Sequence, residues 1–252
     1  MLTTILLAFV QSMTEFLPIS SSGHLFLVSA FGVSHNGLAM DVALHVGTLL
    51  AVLVYFYRDI WRMMLFKDMR LMSLLIVATL PVVCLGLCCG NMIENIVRAP
   101  IMVAICSIIF GLLLWFVDVK SKAKKTIQTM TMKDAFLIGC AQICALIPGV
   151  SRSGITMTMG RGLGLKREDC AHFSMLLSIP TIFGAMVYVL YKNFNGELVL
   201  PSALDLEVGI LCAALFGLLA IAFLMRWLKH ASFFVFAAYR VVLGLVVLIY
   251  FM

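Results

Sequence analysis

Six stretches of about twenty mostly apolar residues, each long enough to cross a bilayer as a helix, constrain this chain most. They occupy residues 39–57, 71–90, 99–117, 171–191, 208–227 and 233–252. Of the 252 residues, 63% are hydrophobic and 12% are charged, whereas soluble domains are about half apolar and a quarter charged. A globule of this size could not hide such an excess in its core. The sequence therefore predicts an all-α, polytopic membrane protein with six transmembrane helices.

Two further apolar regions, residues 2–33 and 135–165, are interrupted in the middle by polar residues, proline and glycine. The first break reads LPISSSG from Leu17, and the second reads PGVSRSG from Pro148. Each arm beside a break is short for a span, which favours a re-entrant helical hairpin. Irregular backbone at membrane depth is tolerated only where protein buries it or water reaches it. The two breaks therefore predict a cavity.

The order of these segments divides the chain, a single integral membrane domain of residues 1–252, into two similar halves. Each half is one broken hairpin followed by three spans, so the second half must start from the opposite face of the membrane. We therefore expect inverted repeats, with residues 1–118 as the first and residues 133–252 as the second. Short matches support this, because SSSG from Ser20 resembles SRSG from Ser151, and ALH ending at His45 resembles CAH ending at His172.

The basic residues lie in short clusters between the apolar stretches, at residues 58–70, 120–133, 166–167 and 226–229. The opposite loops carry little beyond Arg98 and Lys192. The formal net charge of +6 thus indicates membrane topology and not nucleic-acid binding. Because cytoplasmic loops are enriched in lysine and arginine, we expect these clusters in the cytoplasm. Both termini and the mouth of the first hairpin then face outward.

Glu15 places a carboxylate inside an apolar segment, at a cost of roughly 2.5–3.5 kcal/mol. Gln11 lies four residues earlier, on the same helical face. Pro18 should end this helix, and the negative end of the helix dipole would then favour a cation near Glu15. The two residues are therefore candidate metal ligands. The alternative is a buried Glu15 that is bonded to a neighbouring helix.

The serine run after Pro18 is typical of a helix N-cap, and a helix N-terminus binds phosphate readily. Ser21 and His24 are three residues apart, so a hydroxyl and an imidazole can lie together as nucleophile and general base. The alternative is an ordinary cap beside a structural histidine.

Arg152 stands between Ser151 and Ser153 in the second break. An arginine at bilayer depth is costly, and its planar fork matches the oxygens of a phosphate. The alternative is a structural ion pair between Arg152 and Glu15, which would leave both serine clusters and His24 unexplained. If the two hairpin tips meet at the midplane, the two halves build one site.

These motifs, EFLPISSSGH from Glu15 and PGVSRSGIT from Pro148, resemble those of the undecaprenyl-diphosphate phosphatase family, also known as the bacitracin-resistance protein family. The resemblance covers nearly the whole chain, including HVGTLL from His45 and the pair Tyr239-Arg240. It implies an inner-membrane hydrolase that recycles the lipid carrier of peptidoglycan synthesis and confers bacitracin resistance. It also implies a divalent cation, Mg²⁺ or Ca²⁺, and a site open to the periplasm. The family's acidic motif consists of Glu or Gln, three further residues, and then Glu. This chain has Gln11 at the first position, so it has one charged metal ligand fewer than a chain with Glu there.

The expected site follows from the residues of the two breaks and from this resemblance. Ser21, His24, Glu15 and Arg152 are the expected catalytic residues, and Glu15 and Gln11 the expected metal ligands. The residues expected to bind substrate are Ser20, Ser22, Gly23, Ser151, Ser153, Gly154 and Thr156. The attacking group is left open between Ser21, His24 and water, and His172 is given no role.

The expected partners are a polyprenyl diphosphate and the membrane lipids, and the sequence leaves a homodimer open. A transporter or flippase for the polyprenyl phosphate is the alternative function, because inverted repeats with broken helices also suit alternating access. Carriage requires neither a nucleophile nor a base, so Ser21 and His24 favour an enzyme.

Overall fold

A computed structural model of the chain describes residues 1–21, 24, 37–94, 99–194 and 201–251. This described part is built from α-helices with short 3₁₀ turns. The helices are α1 (Leu2–Phe16), α2 (Gly37–Tyr55), α3 (Tyr57–Met64), α4 (Met69–Glu94), α5 (Pro100–Lys120), α6 (Met132–Ile143), α7 (Arg152–Gly162), α8 (Arg167–Phe194), α9 (Ala203–His230) and α10 (Phe234–Phe251).

Among the described residues, four helices are long and apolar enough to cross a membrane: α4, α5, α9 and α10. Helices α2 and α3 would make a fifth span, but the chain bends by 79° between them. The expectation of a multi-pass helical membrane protein is confirmed. The span expected at residues 171–191 is helical within α8, which is not one of these four. The full arrangement of six spans and two hairpins stays a prediction.

The two breaks fall where the sequence places them. Helix α1 ends at Phe16, and Leu17 is extended with ψ 143°, because a residue before proline is excluded from the helical region. The second arm of this hairpin, including residues 25–33, lies outside the described residues. In the second hairpin a 3₁₀ turn, Cys144–Leu146, follows α6, and α7 begins at Arg152. Helices α6 and α7 pack against each other.

The first helix of each hairpin packs against a span of the opposite half. Helix α1 lies against α9, and α6 lies against α4. Helix α2 also packs on α9, and α5 packs on α10. In each of these pairs, a helix of one half packs on a helix of the other half. Two inverted repeats would produce this pattern. The repeat boundaries themselves stay a prediction.

Asp118 joins four helices at the end of α7 that lies away from Arg152. Its carboxylate, 2% exposed, accepts hydrogen bonds from Arg161 Nε at 2.7 Å and from Arg167 Nε at 2.9 Å. It also accepts one from the backbone N–H of Phe233 at 3.2 Å. Because a buried charge is tolerated only when it is paired and hydrogen-bonded, this cluster holds α5, α7, α8 and the start of α10 in one arrangement.

The close contact between α4 and α6 yields a prediction at Gly139. A Cβ atom at Gly139 would overlap the carbonyl oxygen of Ala78, which is backbone and cannot move aside, whereas a Cβ atom at Gly86 on α4 would meet open space. We expect Gly139→Ala to destabilise the fold by about 1–3 kcal/mol through overpacking. Gly86→Ala should leave stability unchanged or slightly higher, because alanine favours helix. Thermal unfolding in detergent, followed by tryptophan fluorescence, measures both; equal midpoints would contradict the tight α4–α6 contact.

Candidate active site

An ion pair between Glu15 and Arg152 joins the two breaks. Arg152 Nη2 lies 2.6 Å from Glu15 Oε1, and the two side chains are only 13% and 12% exposed. Glu15 comes from the last turn of α1, and Arg152 opens α7. Arg152 Nη1 also donates to the carbonyl of Ser174 on α8, at 2.9 Å. The structure therefore brings the charged residue of the first break into contact with the charged residue of the second break.

His45 and Gln11 lie beside the carboxylate of Glu15. Gln11 Nε2 lies 3.2 Å from Glu15 Oε2 and 3.0 Å from His45 Nε2. His45 Nε2 is itself 3.5 Å from Glu15 Oε2. His45 Nδ1 donates to the carbonyl of Asp41, at 2.6 Å, because a carbonyl can only accept. A neutral ring then accepts at Nε2 from Gln11, and a protonated ring donates toward Glu15. His45 was not predicted to belong to the site, although its sequence signals were an imidazole inside an apolar stretch, the match with His172 and the family stretch that begins at His45.

The second break is held in an unusual backbone conformation. Gly149 has φ 95° and Ser151 has φ 70°. Ser151 is the N-cap of α7, and its Oγ accepts a hydrogen bond from Gly154 N at 3.2 Å. A non-glycine residue at positive φ is uncommon, and here the cap bond helps to hold it.

Three of the expected substrate-binding residues take part in interactions within the protein. Ser153 Oγ donates to the carbonyl of Leu17 at 3.0 Å, so it ties the second break to the first. Thr156 Oγ1 lies 2.7 Å from Ser174 Oγ. Gly154 packs against the guanidinium of Arg240. None of the three is among the residues that line the cavity described next, so their contact with substrate stays a prediction.

A cavity of about 120 Å³ lies between the two breaks. Both breaks line it, with the adjoining helix ends: Thr14, Glu15, Ile19, Ser20 and Ser21 from the first half, and Ala145, Ile147, Gly149, Ser151 and Arg152 from the second. The sequence predicted such a cavity. Its wall carries both members of the ion pair and three serine side chains.

His24 is held by residues other than Ser21. Its Nδ1 lies 2.6 Å from the carbonyl of Ser20, and its Nε2 lies 2.6 Å from the hydroxyl of Tyr239 on α10. The two rings stack with 5.5 Å between centroids. Both ring nitrogens therefore have partners, and the expected pairing with Ser21 stays a prediction. The sequence pointed to Tyr239 only through its place in a stretch shared with the family. Ser22 and Gly23 lie outside the described residues.

The residues around Glu15 suit a divalent cation that is shared with substrate. Among the described residues, no group of three or more His, Cys, Asp or Glu side chains could hold a metal ion. Mg²⁺, however, is commonly bound by one or two carboxylates together with substrate phosphates and water. Glu15 lines the cavity, and Gln11 lies behind it with its amide nitrogen 3.2 Å from the Glu15 carboxylate, so a carboxylate and a neighbouring amide fit this kind of site. The identity and number of cations stay a prediction.

The fold and the site define a class: a multi-pass helical membrane protein with a polar cavity built from two helix breaks. The chain matches the family described as "Bacitracin resistance protein BacA" over residues 4–246. It is 44% identical to the undecaprenyl-diphosphatase of Desulforudis audaxviator, over 97% of this chain and 95% of that protein. It is 42% identical to that of Alteromonas mediterranea, over 97% and 96%, and 43% identical to that of Roseobacter denitrificans, over 98% and 97%.

The chain belongs to the bacitracin resistance protein BacA family. The resemblance seen in the sequence motifs is confirmed.

The bond between Ser153 and Leu17 yields a second prediction. Ser153→Ala removes one of two hydrogen bonds to the Leu17 carbonyl, which also accepts from the Ile19 N–H, and the loss of one such bond costs about 0.5–1.5 kcal/mol. The matched control is Ser73→Ala, because Ser73 bonds only to the carbonyl of Met69 one turn away on the same exposed helix face. We expect the unfolding midpoint in detergent to fall for Ser153→Ala and to stay near wild type for Ser73→Ala. Equal midpoints would show that this bond does not help to join the breaks.

Proposed function

We propose that this protein is an undecaprenyl-diphosphatase, which hydrolyses undecaprenyl diphosphate to undecaprenyl phosphate and inorganic phosphate. The observation that carries the proposal is the Glu15–Arg152 ion pair in the wall of a cavity lined by both breaks. The relatives' shared name supports the same reaction. The reaction would return the lipid carrier to peptidoglycan synthesis and so confer bacitracin resistance.

The proposed arrangement in the inner membrane is six spans and two re-entrant hairpins in inverted halves, with the cavity open to the periplasm. The packing of α1 on α9 and of α6 on α4 supports the inverted halves. The basic clusters support the orientation, since cytoplasmic loops are enriched in lysine and arginine and the Asp118 end of α7 would then face the cytoplasm. The polyprenyl tail would lie along the apolar outer faces of the helices.

Arg152 and the N-terminus of α7 are the proposed binding site for the diphosphate. Two nitrogens of the guanidinium contact Glu15 and the Ser174 carbonyl. A guanidinium has five N–H donors, so donors remain for phosphate oxygens. The backbone N–H groups in the first turn of a helix have no partner within the helix, and its dipole favours an anion. Together these groups would neutralise charge on the equatorial oxygens during transfer.

Ser21 is the proposed nucleophile. Its oxygen would form a bond to the terminal phosphorus as the bond to the bridging oxygen breaks, and undecaprenyl phosphate would leave. Water would then release the phosphate from Ser21. If water attacks directly, Ser21 positions it. In either case His24 would accept the proton of the attacking group, and for this its ring must exchange a partner that it holds in this structure.

Glu15 and Gln11 are the residues that would hold Mg²⁺ or Ca²⁺. When bound, a divalent cation supplies positive charge that offsets the charge of the diphosphate oxygens. Glu15 also keeps the fork of Arg152 in one orientation, since the two groups share a hydrogen bond of 2.6 Å.

The site predicts large effects of three substitutions on activity. Ser21→Ala, His24→Ala and Arg152→Ala should each lower phosphate release from a polyprenyl diphosphate by about a hundredfold or more, because general acid–base groups and transition-state charge stabilisation each contribute factors of this order. Ser73→Ala, His230→Ala and Arg62→Ala are matched controls away from the cavity, and they should retain wild-type activity. The measurement is phosphate release by purified protein in detergent, with and without EDTA.

The outcomes of this assay separate the hypotheses. No release by the wild type would favour the flippase alternative, which needs no nucleophile. Full release by Arg152→Ala would place the reaction elsewhere in the protein. Labelled phosphate trapped on Ser21 or His24 would identify the attacking group, and the absence of a covalent intermediate would favour water.

Gln11→Glu tests the cation site. It restores a second carboxylate within 3.2 Å of Glu15, so like-charge repulsion should lower the unfolding midpoint in EDTA, and Mg²⁺ should restore it. The Mg²⁺ concentration for half-maximal activity should fall several-fold, because affinity rises with the number of charged ligands. Gln128→Glu, at an exposed position of the 3₁₀ helix Ile127–Thr129, is the control and should change neither quantity. An unchanged Mg²⁺ requirement in Gln11→Glu would exclude residue 11 as a ligand.

A further inference from the structure

Helix α10 buries an arginine that has no acidic partner among the described residues. Arg240 is 0% exposed. Its Nη2 donates to the carbonyls of Gly149 and Val150, at 3.0 and 2.8 Å. Its Nε and Nη1 have no hydrogen-bond partner in the described part of the chain. Arg240 therefore brings a charge and two unused donors to the back of the second break.

Arg161 shows how this protein treats a buried arginine whose role is structural. It is 2% exposed, and its Nε lies 2.7 Å from the carboxylate of Asp118. Its other nitrogens donate to the carbonyls of Asp118 and Leu165. A buried charge is costly unless it is paired. Arg161 is paired with a carboxylate, whereas within the described residues Arg240 has only two backbone carbonyls to offset its charge.

Arg240 Nη1, which has no hydrogen-bond partner among the described residues, faces the first turn of α7. A Cβ atom added at Gly154 would lie 2.6 Å from Arg240 Nη1, so glycine at this position is what lets the guanidinium approach. Gly154 is three residues after the N-cap Ser151. The positive end of the α7 dipole therefore lies next to Arg240 and carries Arg152 as its first residue. Glu15 is the carboxylate at this point, and it is already paired with Arg152. The excess of positive charge suits an anion.

Arg240 also determines which way the second break faces. A trans peptide group is planar, with its C=O and N–H pointing in opposite directions. Because the Val150 carbonyl points to Arg240, the Ser151 N–H points away from Arg240. Gly149 and Ser151 line the cavity on the other face of this segment, and both have positive φ. The bonds from Arg240 therefore hold the cavity wall in a conformation that few sequences adopt unaided.

We propose that Arg240 is a positioning residue of the diphosphate site. It holds the carbonyls of Gly149 and Val150 at the back of the break, so that the Ser151 N–H points away from Arg240, and its buried charge is compensated by the bound diphosphate. This inference rests on the proposed function, because it assigns Arg240 to the same site. It predicts that a neutral residue at position 240 weakens the binding of diphosphate. Such a residue should also reduce the stabilisation that bound diphosphate gives the protein.

Inorganic pyrophosphate is the probe, with Arg240→Gln and Arg240→Lys as variants and Arg161→Lys as the matched buried-arginine control. In wild type, pyrophosphate should raise the unfolding midpoint in detergent and inhibit phosphate release. In Arg240→Gln the rise should disappear, and the inhibition constant and KM should increase at least tenfold. Arg240→Lys keeps the charge but loses the planar guanidinium. Its inhibition constant and KM should therefore lie between those of wild type and those of Arg240→Gln. Arg161→Lys should unfold at lower temperature with its inhibition constant unchanged.

A purely structural Arg240 gives a different pattern. Arg240→Gln would then unfold earlier, as Arg161→Lys does, yet keep the wild-type inhibition constant and KM, and the inference would be overturned. If Arg240→Gln does not fold, Arg240→Lys carries the same comparison. A wild type that binds pyrophosphate in an Arg240-dependent way but releases no phosphate would refute the proposed function and leave this inference standing.

Discussion

The ion pair between Glu15 and Arg152 is the interaction on which the rest of this structure depends. Each charge alone is costly at bilayer depth, and each belongs to a different half of the chain. The two breaks must therefore meet, because only then does either charge have a partner at 2.6 Å. A cavity follows from this meeting, since irregular backbone at membrane depth has to face protein or water. The same two charges give that cavity a carboxylate for a cation and a guanidinium for an anion.

Neighbouring residues of α10 support both breaks from behind. Tyr239 holds the imidazole of His24 in the first half, and Arg240 holds two carbonyls of the second half. At the other end of α7, the Asp118 cluster anchors the helix that carries Arg152. The short helix is thus held at both ends by buried arginines. Arg161 is neutralised by the protein, whereas Arg240 has no carboxylate partner among the described residues, and this difference suggests which end meets a ligand.

Much of the fold and part of the site were predictable because their signals are local. Runs of apolar residues indicated the spans, and Pro18 indicated the end of α1, since proline excludes the helical conformation at Leu17. Glu15 and Arg152 were recognisable as functional candidates from charge inside apolar sequence. Gln11 was placed beside Glu15 by helical spacing, and the structure joins them. The roles of Ser21 and His24 in catalysis are still predictions.

Taken alone, the sequence determined the class of fold, the places where helices break and the residues whose charge needs a partner, because all three depend on neighbours within a few positions. The partners themselves were decided only by the tertiary structure. His45 meets Gln11 across 34 positions, Tyr239 meets His24 across 215, and Arg240 meets Val150 across 90. Contacts at such separations depend on how the helices pack against one another, and no local pattern of hydrophobicity or spacing encodes that packing.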